Sequence, residues 1–398
     1  MKFPRILCAL TVVSIVAAMS ACGGVSSGTR QNVPPPPPPT GTNYTTCNST
    51  GGGSQLVPNW QSGLFQTNYQ NAIKALVSHV SQASYASHIG YLRIGLSKGG
   101  EINLPSGWDN ASSGACYGGY TGKWAYSAGS AGDSWNAYLQ SMVQWENNSL
   151  NSPFPVLVSI TPISDVGTEP DDFIASIAAQ NGISYGNQGL QSSDLNAQVC
   201  GGDWCHLFAT VPPQIAELQT LGQSCPSGSG CSGPNQQATG PLPPLLSFAV
   251  ANRANDLELY YQDWLVAYDP NDPDYATYGA AYRTAIAGAA PFATLQVLFP
   301  DPTNSDITNF VIPQSTVSGV VIDVDWSDIQ PTGSSSFDWT ITDASINQWV
   351  NAGVKKVNLV FQNTTYGGNN CGGGGIGSNG QGSSGNCAMP AWMWTVLQ

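Results

Sequence analysis

The sequence has 398 residues, with 11 basic and 24 acidic side chains and a formal net charge of −13 at pH 7. Only 9% of the residues are charged, and the acidic balance argues against nucleic acid or an anionic lipid surface as a partner. The chain is rich in Gly and in neutral polar residues and contains 12 Trp and 16 Tyr. Neutral hydrogen-bonding groups beside aromatic faces suit uncharged sugars, so we expect carbohydrate as the partner.

The first 22 residues have the pattern of an export signal. Lys2 and Arg5 precede an apolar run over residues 6–19, which is too short to span a bilayer. Small residues then lead into Cys22, an arrangement that resembles a bacterial lipobox. We therefore expect lipidation of Cys22 and a location in the cell envelope, at the outer membrane, or outside the cell. The alternative is an ordinary secretory signal with an incidental cysteine.

A tether is predicted over residues 23–46, followed by one folded domain over 47–398. The tether consists of Gly, Ser, Thr and Asn around six consecutive prolines, Pro34 to Pro39. Such a segment has too little apolar surface to offset its ordering entropy, and its prolines favour an extended spacer. The membrane would then be contacted only through the N-terminal lipid anchor.

Eight of the ten cysteines lie beyond the signal. Three pairs are close in sequence within Gly/Ser-rich segments: Cys200 with Cys205, Cys225 with Cys231, and Cys371 with Cys387. In an exported chain these are expected to be disulfides that close loops. Neither the cysteines nor the three histidines have the spacing of a metal site, so no metal and no cofactor is predicted.

Apolar runs and amphipathic segments alternate along the mature chain, which is typical of an α/β fold with a parallel sheet or barrel. The predicted strands are residues 89–96, 155–163, 183–190, 214–220, 257–261, 317–324 and 357–361. Helices are predicted over residues 69–80, 134–145, 245–252 and 275–289. Another helix opens at Glu169, and a last one has Ile346, Trp349 and Val350 facing inward. Gly353 is expected to cap the last of these helices.

A resemblance appears in the last hundred residues. The segment "GVVIDVDWSDIQPTGSSSFDWTITDASINQWVNAGVKKVNLVF" and the later "MPAWMW" are similar to the opening of retaining (β/α)8 glycosidases. In that family these motifs mark the first strand, a Trp-containing loop, a helix start and the second strand. Near the N-terminus, "YQNAIKALVSHV" and "YLRIGLSKGGEINLPSGW" resemble the third helix and the fourth strand, the latter also as in β-galactosidases and β-amylases.

The resemblance implies a (β/α)8 TIM barrel that is circularly permuted, running through strands three to eight and then one and two. Barrel ends lie near each other, so such a rearrangement costs little in packing. Two alternatives are a truncated gene with an incomplete second barrel and a different strand order.

The same resemblance implies a retaining glycoside hydrolase with two catalytic glutamates. Glu101 follows the fourth-strand motif and would be the acid/base, although Gly100 stands where the family commonly has Asn. Glu217 in "QIAELQT" ends the segment that is counted as strand seven and would be the nucleophile. Glu258 in "DLELYYQDW" is the alternative nucleophile, or else a buried acid bonded to Tyr260 or Arg253.

The two remaining glutamates, Glu146 and Glu169, end and open amphipathic helices, so surface positions explain them. Arg93, on the strand before Glu101, is a candidate partner for a carboxylate because buried cations are usually paired. Sugar-binding side chains are expected after the strands, at Trp108, Tyr185, Asn187, Gln188, Asp325, Trp326, Asn363 and Tyr366. The alternative function is a non-catalytic carbohydrate-binding surface lipoprotein on the same scaffold.

Overall fold

The computed structural model describes residues 44–48, 54–58, 62–96, 102, 134–160, 169–195, 208, 213–289, 294–298, 305–363 and 389–397. A two-stranded antiparallel hairpin comes first, formed by β1 (Tyr44–Asn48) and β2 (Ser54–Pro58). The hairpin begins within the segment that the sequence predicts as tether.

Parallel strands form the centre of the fold. They are β3 (Ile89–Ile94), β4 (Val156–Ser159), β5 (Ser184–Leu190), β6 (Ala216–Thr220), β7 (Asp256–Tyr260), β8 (Thr294–Leu298), β9 (Gly319–Asp325) and β10 (Lys356–Gln362). Consecutive strands pair from β3 to β7, and β10 pairs with both β3 and β9. The short segment β8 pairs with β7 and β9 and joins the two ends of the ring. The predicted α/β fold with a parallel, TIM-like barrel is confirmed.

The described α-helices lie before β3, between most pairs of successive strands, and after β10. They are α1 (Gly63–Gln82), α2 (Ser134–Ser149), α3 (Glu169–Gln180), α4 (Pro234–Thr239), α5 (Leu242–Ala251), α6 (Tyr261–Tyr268), α7 (Tyr275–Ala289), α8 (Trp326–Ile329), α9 (Thr340–Asn351) and α10 (Ala391–Leu397). Gly353 has φ +97° just after α9, as its predicted capping position requires.

The hydrophobic core sits between the strands and the helices. Helix α1 shows why: Tyr69, Ile73, Leu76 and Val80 recur at helical spacing and are all buried. Each such aliphatic side chain contributes about 1.5–3 kcal/mol when fully buried. On β9 the alternate residues Val320, Ile322 and Val324 face the same core, which leaves the intervening residues to face the inside of the barrel.

The inside of the barrel is unusually polar. TIM barrels normally fill this space with layers of branched aliphatic side chains. Here strand alternation and register direct polar side chains inward from most strands: Tyr91, Arg93, Ser159, Gln188, Glu217, Gln219, Asp256, Glu258, Asp323, Asn358 and Gln362. Because buried polar groups must be hydrogen-bonded to be tolerated, such an interior indicates a function beyond packing.

Candidate active site

Glu217, the predicted nucleophile, points into the barrel and is fully buried. It is the second of five residues in β6, so it lies inside the strand and not at its end as the sequence analysis had it. Gln188 on the neighbouring β5 donates through Nε2 to both carboxylate oxygens of Glu217, at 3.2 and 3.0 Å. The Gln188 side chain is oriented in turn by the hydroxyl of Ser159 on β4, which donates to its Oε1. Three adjacent strands therefore fix the Glu217 carboxylate.

Gly186 makes room for this carboxylate. It lies opposite Glu217 in the β5–β6 register. A Cβ atom at this position would overlap the Glu217 side chain and approach its backbone oxygen to 2.6 Å. A glycine is needed here for close approach between strands and not for an unusual backbone angle.

Arg93 connects the two candidate nucleophiles from the opposite side of the barrel. Its Nη1 donates to Glu258 Oε1 and Oε2 at 3.3 and 3.2 Å and lies 3.7 Å from Glu217 Oε1. The side chain of Arg93 is 6% exposed and both glutamates are fully buried. The prediction that Arg93 neutralises a buried carboxylate is confirmed, and two carboxylates share it.

Glu258 has a complete set of partners on β3. Besides the bonds from Arg93, the Tyr91 hydroxyl donates to Glu258 Oε1 at 2.6 Å. Glu258 is thus a buried, hydrogen-bonded acid, as the alternative interpretation expected, with partners across the barrel on β3, whereas Arg253 is exposed. Burial, and then the nearby charge of Glu258, raise the pKa of Tyr91 well above its usual value, so Tyr91 stays a donor.

Two aspartates add to the acidity of the interior. Asp256 begins β7, and burial followed by the charges of Glu258 and Glu217 raises its pKa well above the usual range. Asp323 on β9 also has a raised pKa, caused by burial and opposed by Arg93 and by a hydrogen bond with Gln362. Because Arg93 is shared by several acids, the protonated form of Asp256 relieves the repulsion between them.

No protein-family model, curated protein or solved structure matches this chain. The glycosidase resemblance therefore depends on the sequence motifs and on the geometry of the barrel interior.

Two predicted sugar-stacking residues lie in the core. Trp326 is fully buried at the start of α8, with ring centroids 5.9 Å from Phe65 and 5.3 Å from Tyr69. Its Nε1 donates to Gln330 Oε1 at 2.6 Å. Tyr185 is also fully buried and packs 5.1 Å from Phe208. Both rings have packing roles in this structure and offer no face to a ligand.

Three further predicted residues lie within or beside strands of the barrel, Asn187 in the middle of β5 and the other two at strand ends. Asn187 is buried and accepts a hydrogen bond from the Gly189 N–H at 2.7 Å. Asn363 is buried and donates to Gly95 O at 2.9 Å, which ties β10 to the end of β3. Asp325 is half-buried, where β9 ends and α8 begins. Of the predicted sugar-binding set, Gln188 is the one that contacts a candidate catalytic carboxylate in the described part of the chain.

Glu101, Trp108, Tyr366 and Cys22 lie outside the described residues. The strand that leads towards Glu101 is nevertheless well fixed. Tyr69 donates its hydroxyl hydrogen to Gly95 O at 2.6 Å and Tyr138 donates to Leu96 O at 2.6 Å. These bonds hold the C-terminal end of β3, where the catalytic groups of TIM barrels collect.

Glu146 differs from its expected surface position. It is 3% exposed on α2, and neither carboxylate oxygen has a hydrogen-bond partner among the described residues. Burial raises its pKa well above the usual value, so the neutral acid is favoured. The error has a simple cause: Tyr138, Met142 and Trp145 define the apolar face of α2, and Glu146 lies four residues after Met142 on that face.

The disulfide Cys225–Cys231 is present and confirms one of the three predicted loop closures. The pairs Cys200–Cys205 and Cys371–Cys387 lie outside the described residues. Within the ranges that the structure describes, no three His, Cys, Asp or Glu side chains are arranged to bind a metal ion. Among the helices described, none combines the length and the hydropathy of a bilayer span.

The sequence analysis missed Tyr91, Asp256 and Asp323 as members of this interior cluster. The missed pattern was alternation: in "YLR", "DLELY" and "VIDVD" polar residues are separated by single apolar ones. Strands of a parallel barrel are usually apolar on both faces, so regular alternation in such a strand indicates a polar interior.

Proposed function

We propose that the protein is an exported glycoside hydrolase in which Glu217 is the nucleophile and Glu101 the acid/base. The observation that carries the proposal is the setting of Glu217, a buried carboxylate that receives two hydrogen bonds from Gln188 and faces the Arg93 guanidinium. The Gln188 amide orients this carboxylate, and the guanidinium partly offsets its charge, as the nucleophile of a retaining glycosidase requires.

Strand spacing supports the pairing with Glu101. The family motif puts the acid/base after strand four and the nucleophile on strand seven, three strands further. Glu101 follows β3 in the chain, and β6, which carries Glu217, is three strands further along the ring. Glu258 on β7 is four strands away. The spacing therefore favours Glu217 as the nucleophile. Glu258 would then serve as the hydrogen-bonded partner that positions Arg93.

We further propose that β8 completes a (β/α)8 barrel and is its first strand in family order. The sequence analysis overlooked this strand and counted β9 as first. With β8 included, β3 to β7 are strands four to eight and β8 to β10 are strands one to three. This permuted order keeps both Glu101 and Glu217 at their family positions. It makes β9 and β10 strands two and three, so the numbering is based on the fourth-strand motif and not on the resemblance of β9 and β10 to the family's first two strands.

In the proposed reaction Glu217 attacks the anomeric carbon while Glu101 donates a proton to the departing oxygen. A glycosyl–Glu217 ester results. Glu101, now ionised, removes a proton from water, and the resulting attack on the anomeric carbon releases the sugar and restores both side chains. Gln188 would orient the Glu217 carboxylate for attack. The hydrogen bond from Gln188 Nε2 to the attacking oxygen must break as that oxygen forms the ester.

The second candidate is a carbohydrate-binding lipoprotein without catalysis. The observation in its favour is that Glu217 and Glu258 are both completely buried in this conformation. A nucleophile must contact the substrate, and a completely buried carboxylate does not. In either case, lipidation at Cys22 and the proline-rich tether would keep the domain at the cell envelope.

The test is an assay of residues 23–398, which keep the whole of β1, against aryl glycosides and polysaccharides, with Glu101→Gln and Glu217→Gln in parallel. We expect turnover of at least one glycoside, a loss of about 10²–10⁴ in kcat for Glu101→Gln and a larger loss for Glu217→Gln. Binding without turnover in the unaltered domain would favour the second candidate. Full activity in Glu217→Gln would exclude the assigned nucleophile.

A further inference from the structure

Gln219 lies on the same strand as the proposed nucleophile and faces the inside of the barrel. In β6 the alternate residues Ala216 and Leu218 belong to the hydrophobic core. The intervening residues, Glu217 and Gln219, therefore point to the other side of the sheet, which is the barrel interior. Gln219 is two residues nearer the C-terminal end of β6, about 7 Å further along the strand. A substrate that enters at this end, as in TIM barrels, passes Gln219 on its way to Glu217.

The Gln219 side chain is buried, yet its amide has no hydrogen-bond partner within the described part of the chain. The residue is 8% exposed, and no described residue donates to its amide oxygen or accepts from its amide nitrogen. Neither amide atom is completely shielded from solvent. A polar group that is largely removed from water costs free energy unless a partner supplies its hydrogen bonds. A ligand that reaches these two atoms can be that partner.

Two other glutamines of the barrel interior have nearly the same exposure, and both are hydrogen-bonded. Gln188 on β5 is 8% exposed and donates to Glu217. Gln362 at the end of β10 is 7% exposed and hydrogen-bonds to Asp323. The fold therefore supplies partners for the amides that it uses as structural groups. Gln219 differs from them in having none among the described residues.

Arg93 provides a second unmatched donor on another side of the barrel. Its hydrogen bonds to Glu258 use Nη1 alone, and its buried Nε has no partner among the described residues. Arg93 is the fifth of six residues in β3, three strands from β6 along the ring. An amide offers one acceptor and two donors, and a guanidinium offers donors only. This set suits a neutral ligand with several hydroxyl groups, because each hydroxyl both donates and accepts.

We propose that Gln219 is a substrate-binding residue whose amide exchanges hydrogen bonds with hydroxyl groups of the sugar bound next to Glu217, so that the site selects the hydroxylated sugar over its deoxy analogues. This inference rests on the proposed glycoside substrate. A deoxy sugar leaves the amide without its partner in a desolvated site, and such a loss is the strongest basis for rejecting a ligand. The sequence analysis named Glu217 in this segment and not Gln219.

The experiment combines Gln219→Met with substrates that lack single hydroxyl groups. The exported chain, residues 23–398, is assayed with the aryl glycoside that it cleaves fastest and with the monodeoxy analogues of that glycoside. Methionine keeps the length of glutamine and removes both hydrogen-bonding atoms. Gln348→Met is the matched control, because Gln348 is half-buried on α9 and not on a barrel strand.

We expect Gln219→Met to lower kcat/KM for the parent glycoside by about tenfold or more, since a hydrogen bond is lost in a desolvated site. At least one monodeoxy analogue should be a poorer substrate of the unaltered chain by a similar factor. That analogue should lose nothing further in Gln219→Met, because the missing hydroxyl and the missing amide are partners. Gln348→Met should change none of these values. Additive losses for every analogue, or full activity of Gln219→Met on the parent glycoside, would overturn the inference.

Melting temperatures separate a binding role from a structural one. An amide without a partner in the folded chain does not stabilise it, so Gln219→Met should melt at the same temperature as the unaltered chain or at a higher one. A marked fall in melting temperature together with the loss of activity would show that Gln219 is structural, and the inference would then be wrong.

A binding measurement separates this inference from the proposed catalysis. If no glycoside is turned over, calorimetric titration with cellohexaose, xylohexaose and mannohexaose replaces the kinetics. Weaker binding by Gln219→Met than by Gln348→Met then supports the role of Gln219 while the hydrolase proposal fails. Equal binding by both variants, or no binding to any of the three oligosaccharides, overturns the role of Gln219.

Discussion

Arg93 on β3 donates through one nitrogen to both carboxylate oxygens of Glu258 on β7, at 3.3 and 3.2 Å, across the inside of the barrel. Strands β3 and β7 are not neighbours in the ring. The ion pair therefore links two non-adjacent strands across the barrel. It also brings a positive charge to within 3.7 Å of Glu217 Oε1. Packing of the barrel and the charge of the candidate nucleophile depend on the same guanidinium.

Removal of Arg93 should destabilise the fold strongly. In Arg93→Met the Glu258 carboxylate stays buried without its cation, which typically costs about 3–5 kcal/mol. The free energy of unfolding from urea titration measures this, with exposed Lys355→Met as the control. The double variant Arg93→Met/Glu258→Gln should recover part of the loss. Equal stability of Arg93→Met and Lys355→Met would contradict the stabilising role of the Arg93–Glu258 ion pair.

Gly186→Ala should displace Glu217. The added methyl group has no space beside the Glu217 side chain, so we expect a loss of about 1–3 kcal/mol from overpacking and a fall in kcat. Gly189→Ala on the same strand is the control, since its nearest neighbour, Asn187 Oδ1, would be 3.4 Å away. Urea unfolding and steady-state kinetics of both variants test this, and equal behaviour of the two would argue against tight packing at Gly186.

Glu146→Leu should stabilise the protein, more so at high pH. The folded-state pKa of Glu146 is raised above the ordinary value of 4.5, so the unfavourable contribution of this acid grows as pH rises above that value. The gain in melting temperature from Glu146→Leu should therefore be larger at pH 8 than at pH 4. Gln144→Leu on the exposed face of α2 controls for helix propensity. A gain that is the same at both pH values would mean that Glu146 titrates normally.

Asp263 should make stability fall between about pH 4 and pH 7. Burial raises its pKa to about 7, while the Ser224 N–H and hydroxyl, which donate at 3.0 and 2.6 Å, lower it. The folded state thus binds a proton that the unfolded chain releases near 3.8. Its contribution is complete below that value and is lost at about 1.4 kcal/mol per pH unit as pH rises to 7.

Asp263→Asn should make the fall in unfolding free energy between about pH 4 and pH 7 shallower by about 1.4 kcal/mol per pH unit, leaving the part that Glu146 and Asp256 contribute. Asparagine keeps the Oδ1 acceptor for Ser224 but does not titrate. Asp306→Asn is the control at an exposed position. An equal slope in Asp263→Asn and Asp306→Asn would mean that the Asp263 pKa is not raised.

The sequence predicted the framework of the fold well because its signals are local. Helices such as α1 and α7 have clear apolar periodicity, and β9 is a strongly β-branched run. Strand β8 was missed because the helix prediction ended at Ala289 and the next five-residue apolar run is short. That omission shifted the count of strands, although the relative spacing of β3 and β6 was unaffected.

The candidate site was only partly predictable, since its partners come from distant strands. Arg93 could be recognised as a buried cation, but its pairing with Glu258 depends on barrel register over 165 residues. Buried and exposed aromatic residues look alike in sequence, and Trp326 accordingly proved to be core. Glu146 was misjudged because a charged residue at a helix end is usually exposed.

The most direct test of the account is to trap the covalent intermediate. The domain is incubated with a 2-deoxy-2-fluoro glycosyl fluoride of whichever sugar it cleaves, digested, and analysed by peptide mass spectrometry. We predict that the fluorosugar is attached to Glu217 and that Glu258→Gln, if folded, is still labelled there. A label on Glu258, or continued turnover by Glu217→Gln, would contradict the assignment of Glu217 as nucleophile.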